Sequence, residues 1–259
     1  MNFTTILVSD KPPVRTITLN RPERRNAMTP EMRKELIAAL ADAVASDCQV
    51  LVLSGAGKAF CSGLDISVLQ EMQGKTAAEY RADAEQLARL FVTLHELPMP
   101  TIAAVHGPAI AGGTGLATLC DFTLATPEAK FGYTEARIGF VPALVSAFLA
   151  LQIGDKRSRD LLLTGRLFDA EEALRLGLVN EIVPAEHLAT RVESLIDVLL
   201  ANSPQSLGAT KRLIAAHNRP WLDAAIQTGM AATVEARGTA DFREGIAAFL
   251  EKRKPAWAR

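Results

Sequence analysis

Three things are scarce in this sequence: paired cysteines, excess charge of either sign, and biased tracts. Cys48, Cys61 and Cys120 are odd in number and have no CxxC spacing, which argues against a disulfide framework and a structural zinc site. Lys and Arg number 28 against 29 Asp and Glu, a formal charge of −1. Nucleic acid and anionic membranes both select a clustered basic surface, so neither is expected as the main partner. The opening MNFTTILVSDKPP has no basic region ahead of a long apolar run, so no secretory signal is expected and a reducing, cytoplasmic setting is the default. No low-complexity tract or repeat is present, and 49% apolar with 22% charged residues is an ordinary globular composition. At roughly 150 residues per domain, 259 residues predict one large domain, or a domain with an appendage.

A local absence is sharper. From Leu97 to Cys120 there is no Asp, Glu, Lys or Arg for 24 residues. That length would span a bilayer. Yet Pro98, Pro100, Pro108 and the glycines at 107, 112, 113 and 115 interrupt it, and a membrane helix could not satisfy its backbone through so many breakers. The segment reads instead as a buried strand, loop and helix.

Alternating or continuous apolar residues predict strands at Thr5–Ser9, Val14–Asn20, Gln49–Ser54, Thr101–His106, Asp121–Ala125 and Leu178–Val183. Thr29 followed by Pro30 starts a helix whose inner stripe is Met32, Leu36, Leu40 and Ala43. Another helix covers Thr76–Glu96, with Leu87, Leu90, Phe91 and Leu94 on one face. After the last strand the pattern is helical only: one helix from Ser203–Pro204, a second over Asp223–Arg237 and a third over Asp241–Lys252. Strands separated by helices imply crossover connections and a mostly parallel sheet.

Two glycine-rich loops stand out. GAGKAFCSGLDI (55–66) is no phosphate loop: Val52 and Ala59 break the Walker spacing, and Phe60 stands where a dinucleotide fingerprint needs glycine. HGPAIAGGTGLATLCD (106–121) follows a strand and enters a short helix. Its glycines allow tight turns and bare N–H groups, suited either to an oxyanion or to close helix–sheet packing.

Taken with their surroundings, these loops resemble the crotonase (enoyl-CoA hydratase/isomerase) family over essentially the whole chain. TITLNRPERRNAM (16–28), AFCSGLDI (59–66), AIAGGTG (109–115), FGYTEARIGFVP (131–142), TGRLFDAEEALRLGLVNEIVP (164–184) and FREGIAAFLEKRKPAW (242–257) carry the likeness in order. The resemblance implies an α/β fold, a crotonase-like spiral of ββα units, with a CoA-binding core over 1–200 and a C-terminal helical region over 201–259. The latter would mediate trimers or hexamers. It implies an acyl-CoA or enoyl-CoA substrate, with coenzyme A present as part of the thioester rather than as a separate cofactor.

By the same resemblance, the backbone amides of Leu64 and Gly112 form an oxyanion hole and Glu135 is the acid–base group. Arg24, Arg25 and Lys58 would meet the CoA phosphates, Asp65 and Ile66 would line the pantetheine and acyl channel, and Phe249 and Lys252 would reach the adenine. Family hydratases carry a second glutamate three residues after the oxyanion glycine; that position here is Gly115. Several readings follow. Glu135 moves one proton between C2 and C4 of an enoyl-CoA. Alternatively it works on water with help from Thr114 or Tyr133. In a third reading the chain has altered chemistry, binding acyl-CoA without hydration or catalysing another CoA-thioester reaction such as decarboxylation. In isolation Glu135 reads as an ordinary surface or salt-bridged glutamate paired with Arg137, and the motif match turns that reading toward catalysis. His106 reads as a satisfied buried histidine, Cys61 as packing volume, Asp121 as structural, and Asp169 with Glu172 as a capping box.

Overall fold

The computed structural model describes residues 2–258. In chain order, β1 (Ile6–Lys11), β2 (Val14–Leu19), α1 (Pro30–Ala45) and β3 (Val50–Gly55) precede α2 (Ile66–Glu71) and α3 (Ala77–His95). β4 (Thr101–Val105), β5 (Ala109–Ile110) and α4 (Gly112–Thr118) fill the uncharged stretch, so its reading as strand, loop and helix holds. β6 (Phe122–Ala125), β7 (Lys130–Gly132) and a 3-10 turn at Glu135–Ile138 follow. Next come α5 (Ala143–Ile153), α6 (Asp155–Thr164), β8 (Leu167–Asp169), α7 (Ala170–Leu176) and β9 (Glu181–Ile182). Then α8 (Leu188–Leu200), α9 (Pro204–Arg237) and α10 (Ala240–Leu250) complete the order.

The main sheet has the order β1-β2-β3-β4-β6-β9, antiparallel in the β1–β2 hairpin and parallel elsewhere. A smaller sheet, β5-β7-β8, sits beside it. Period-two geometry divides β3 between two layers. Leu51 and Leu53 join the α1 and α3 side chains in the main core, while Val50 and Val52 pack with Leu188, Val192 and Leu199 of α8. Burial on both faces is why β3 reads as the unbroken run VLVL. Among the described residues no helix is long and apolar enough to cross a membrane.

Helix starts follow local chemistry. The Thr29 hydroxyl accepts the Met32 N–H at 3.2 Å, with Pro30 in the first turn where no intrahelical N–H is needed. Thr76 and Glu79 form a reciprocal capping box on α3. At α7 only half of the expected box exists: Asp169 accepts the Glu172 N–H at 2.8 Å, but the Glu172 carboxylate turns to Arg166 instead.

One expectation is corrected. The predicted helices from Ser203 and over Asp223–Arg237 are a single helix of 34 residues, α9, running through Pro220. An interior proline costs about 3 kcal/mol. Beyond it Leu222, Ile226 and Met230 are buried, each worth about 1.5–3 kcal/mol, so packing outweighs the break. Arg219, just before the proline, also bridges Asp223 and Glu96. The strand expected over Leu178–Val183 shrinks to the two residues of β9, paired with β6.

α10 folds back onto the 3-10 turn. A Cβ on Gly139 would lie 2.2 Å from the Asp241 carbonyl oxygen, and one on Gly245 would lie 2.2 Å from that of Ile138. Only hydrogens fit at this crossing, and Phe140 packs on Phe242 with ring centroids 5.2 Å apart. The C-terminal helices therefore hold the segment that carries Glu135.

Candidate active site

The two glycine-rich loops meet, and each is pinned by its own hydrogen bonds. Asn26, fully buried at φ +55°, donates its side-chain amide to the carbonyls of Ala56, Ala59 and Phe60 and accepts the Arg21 N–H. Met28 N donates to Gly63 O at 2.7 Å, and Asp65 N donates to Met28 O at 3.0 Å. Gly63 has φ +88°, a conformation other residues rarely tolerate. A Cβ there would lie 3.0 Å from the Ala111 side chain and 3.5 Å from the Gly112 amide nitrogen. The residue before Leu64 thus abuts the Gly112 amide.

The second loop is fixed at both ends. Ile110 N donates to Cys61 O at 2.8 Å and Ala111 N to Gly132 O at 2.6 Å. Ala111 sits at φ +52°, ψ −124°, a strained conformation for a residue with a Cβ and of a kind that clusters at functional sites. The amides of Leu64 and Gly112 have no acceptor among the described residues. Both line one cavity of about 260 Å³ together with Glu135.

Glu135 opens the 3-10 turn after β7 and is 9% exposed. Its Oε2 has no hydrogen-bond partner, and no ion pair with Arg137 forms. Burial pushes its carboxyl up from 4.5 to about 7, because desolvation disfavours the charged form. Ile66, the exposed Arg25 and the rim residue Phe249 line the same cavity, whose walls include Leu87, Phe91, Leu144 and Val145.

Several expected site residues lie elsewhere. Asp65 does not line the cavity: its carboxylate caps α2 through Ser67 N at 3.1 Å and pairs with Arg21 Nη1 at 2.9 Å. Arg24, Lys58 and Lys252 are exposed and outside the lining. The loops bearing Arg24, Arg25 and Lys58 nonetheless touch, since a Cβ on Gly57 would meet the Pro22 ring at 2.7 Å. The suggested helpers do not line the cavity: Thr114 Oγ1 donates to Ala109 O at 2.6 Å and accepts Gly132 N at 3.1 Å, and Tyr133 is fully buried beside it in the core. At Gly115 a Cβ would lie 2.7 Å from Val145 Cγ1 and 3.4 Å from the Phe91 ring, so apolar side chains occupy the position of a second carboxylate.

The supporting residues behave as their types predict. His106 is half-buried and shares a 2.9 Å hydrogen bond with Gly57 O. The buried Cys61 thiol is pushed up to about 12 by desolvation, which removes it as a nucleophile. Asp121 accepts the Thr101 amide and hydroxyl and pairs with Lys211. Sequence reasoning missed Asn26, and it missed Asp83 of α3 and Arg237 of α9, which also line the cavity. The turn chemistry at Asn26 is a local signal for the first. The Asp83–Arg237 pair spans 154 positions and carries no such signal.

Residues 10–259 match the family described as Enoyl-CoA hydratase/isomerase. A Thermus thermophilus protein provisionally named an enoyl-CoA hydratase is 44% identical over 247 residues, which is 95% of this chain and 98% of the relative. A short-chain-enoyl-CoA hydratase of Clostridium acetobutylicum is 31% identical over 98% of this chain and 97% of its own. The crystal structure of an enoyl-CoA hydratase from Mycobacterium avium subsp. paratuberculosis superposes with a TM-score of 0.88, at 28% identity and full coverage of both chains.

Proposed function

The chain belongs to the enoyl-CoA hydratase/isomerase family of enzymes, and from that premise we propose that it acts on an enoyl-CoA thioester through an enolate, with Glu135 as the only acid–base side chain. One observation carries this reading. A buried carboxyl with one oxygen free of any partner shares a cavity with two amides that have no acceptor among the described residues.

The thioester oxygen accepts the Leu64 and Gly112 N–H groups. Negative charge that moves onto it is then met by dipoles already in place, and losing one such donor costs other enzymes ~10²–10³ in rate. As a carboxylate, Glu135 takes a proton from C2 of a 3-enoyl thioester; the electron pair delocalises onto the thioester oxygen. The same group, now an acid, returns the proton at C4 and leaves the 2-enoyl product. A single carboxyl serves as base and then acid when its pKa lies near the working pH, and a value of about 7 suits that task.

The filled space at Gly115 favours this one-carboxyl proton transfer. Hydration is the second reading, favoured by the relatives' names: Glu135 takes a proton from water as the oxygen adds to C3, then returns it to C2. Coenzyme A enters as part of the thioester. Its phosphates meet Arg24, Arg25 and Lys58, its adenine end meets Phe249 and Lys252, and the C-terminal helices support self-association.

Steady-state assays with 2-enoyl-CoA and 3-enoyl-CoA separate the two reactions. Glu135→Gln is expected to lower kcat by about 10²–10⁴ on whichever substrate turns over. Full activity of that variant removes Glu135 from the mechanism. Acyl-CoA binding with no turnover by the wild type would favour the altered-chemistry reading instead.

A further inference from the structure

The proton chemistry leaves a second charged group of the same cavity unused. Asp83 on α3 lies between two guanidinium groups, with Oδ1 accepting from Arg33 Nη2 of α1 and Oδ2 from Arg237 Nη2 in the last turn of α9. Arg33 and Arg237 are 1% and 2% exposed. Neither has another ion-pair partner among the described residues. Two positive charges thus share one negative charge away from water, where an unmatched charge is costly.

Arg237 is the less satisfied of the two in hydrogen bonds. Its Nε and Nη1 have no partner, whereas Arg33 lacks one only at Nε. Its guanidinium carbon lies 5.6 Å from the Tyr80 ring centre and 5.8 Å from that of Phe140, so aromatic faces hold the group while leaving edge donors unused. Arg237 lines the cavity and Arg33 does not. The other charged residues in the lining are Asp83, Glu135 and the exposed Arg25. A purely structural brace would be satisfied within the protein, since native folds leave few buried donors without acceptors.

We propose that the acyl group of the substrate carries a carboxylate at the end away from the thioester, and that Arg237 is the specificity-determining residue that receives it. The ligand carboxylate supplies both missing quantities, one negative charge and acceptors for a planar fork of N–H donors. Asp83 is then a positioning residue, keeping the guanidinium from being a bare buried cation when the cavity is empty. The inference rests on the enoyl-CoA reading and narrows it to dicarboxylic acyl groups.

Binding decides the matter without turnover. Calorimetric titration compares glutaryl-CoA, whose five-carbon acyl group ends in a carboxylate, with pentanoyl-CoA, which ends in a methyl group. The wild type is expected to bind glutaryl-CoA at least about tenfold more tightly, with the preference falling below about twofold in Arg237→Met and partly kept in Arg237→Lys. The kcat/KM ratio for glutaconyl-CoA over pent-2-enoyl-CoA should fall in parallel. Equal or weaker wild-type binding of glutaryl-CoA overturns the proposal, as does an unchanged ratio in a folded Arg237→Met. If that variant does not fold, the wild-type pair of titrations still decides. Failure of both thioesters to bind brings down the enoyl-CoA reading as well. Equal binding with turnover of pent-2-enoyl-CoA brings down this inference alone.

Discussion

Glu135 and Asp83 are carboxyl groups of one cavity with opposite electrostatics. Desolvation pushes both upward. At Glu135 only a backbone hydrogen bond opposes it, no cation does, and the group rises to about 7. At Asp83 the hydrogen bonds and charges of Arg33 and Arg237 outweigh burial and hold the carboxyl below its ordinary 3.8. Burial alone therefore does not decide the state of a cavity carboxyl; its partners do. One cavity thus holds a carboxyl that keeps its proton up to about 7 and a fixed anion, both from the same functional group.

The strongest way to break this contrast is Asp83→Asn. It leaves two buried guanidinium groups without their shared anion, and a loss of about 3–5 kcal/mol is expected in urea unfolding. The pH dependence fixes the sign. Because the folded carboxyl lies below 3.8, its stabilisation is present above that ordinary value and is lost as pH falls below it through the lowered folded value. The variant should lack that acid-dependent loss. A change under about 0.5 kcal/mol, normal for an exposed site, would show that Asp83 is no fixed anion.

Glu135→Gln should act in the opposite direction. The folded group keeps its proton up to about 7 against an ordinary 4.5, so the native state binds more protons between these values and loses stability as pH rises. The full cost, about 3 kcal/mol, is reached above pH 7. The variant should therefore be more stable than the wild type at pH 8 and nearly equal to it at pH 4, as read by the urea midpoint. Equal midpoints at pH 8 would mean that Glu135 is not held in a desolvating site.

Gly115→Ala sharpens the contrast by testing what fills the space beside Gly115. Its Cβ would press on Val145 Cγ1 at 2.7 Å, and overpacking of this kind costs about 1–3 kcal/mol. Adding Val145→Ala should return part of that loss. No recovery in the double variant would show that Val145 does not fill the position.

What was legible in the sequence follows the range of the interactions. The start of α1 could be read because Thr29, Pro30 and Met32 settle it within one turn. β3 could be read because a strand buried on both faces needs no polar residue. The glycine-rich loops were visible because tight backbone approach demands glycine locally. The helices expected from Ser203 and over Asp223–Arg237 are one because packing of α9 on the core overrules the local penalty at Pro220. Asp65 caps α2 through Ser67, a contact within two residues, whereas its ion pair with Arg21 spans 44 residues and leaves no local pattern. The missing glutamate at Gly115 was plain, but its replacement by Phe91 and Val145 required the fold. Asp83 and Arg237 stayed invisible because no spacing connects α3 to the last turn of α9.

The order in which the cavity wall appears along the chain has a consequence for synthesis. By residue 200 a growing chain already contains both amide-bearing loops and Glu135, while Thr233, Arg237 and Phe249 are still absent from the wall. Chains fold from the N-terminus as they emerge, so both loops and Glu135 are made before the wall that closes over them. A product stopped before α9 would expose Leu69 and Phe140, whose apolar neighbours Ala236, Phe242 and Ile246 come last. Such a fragment is marked for chaperones and proteases by its own unfinished core.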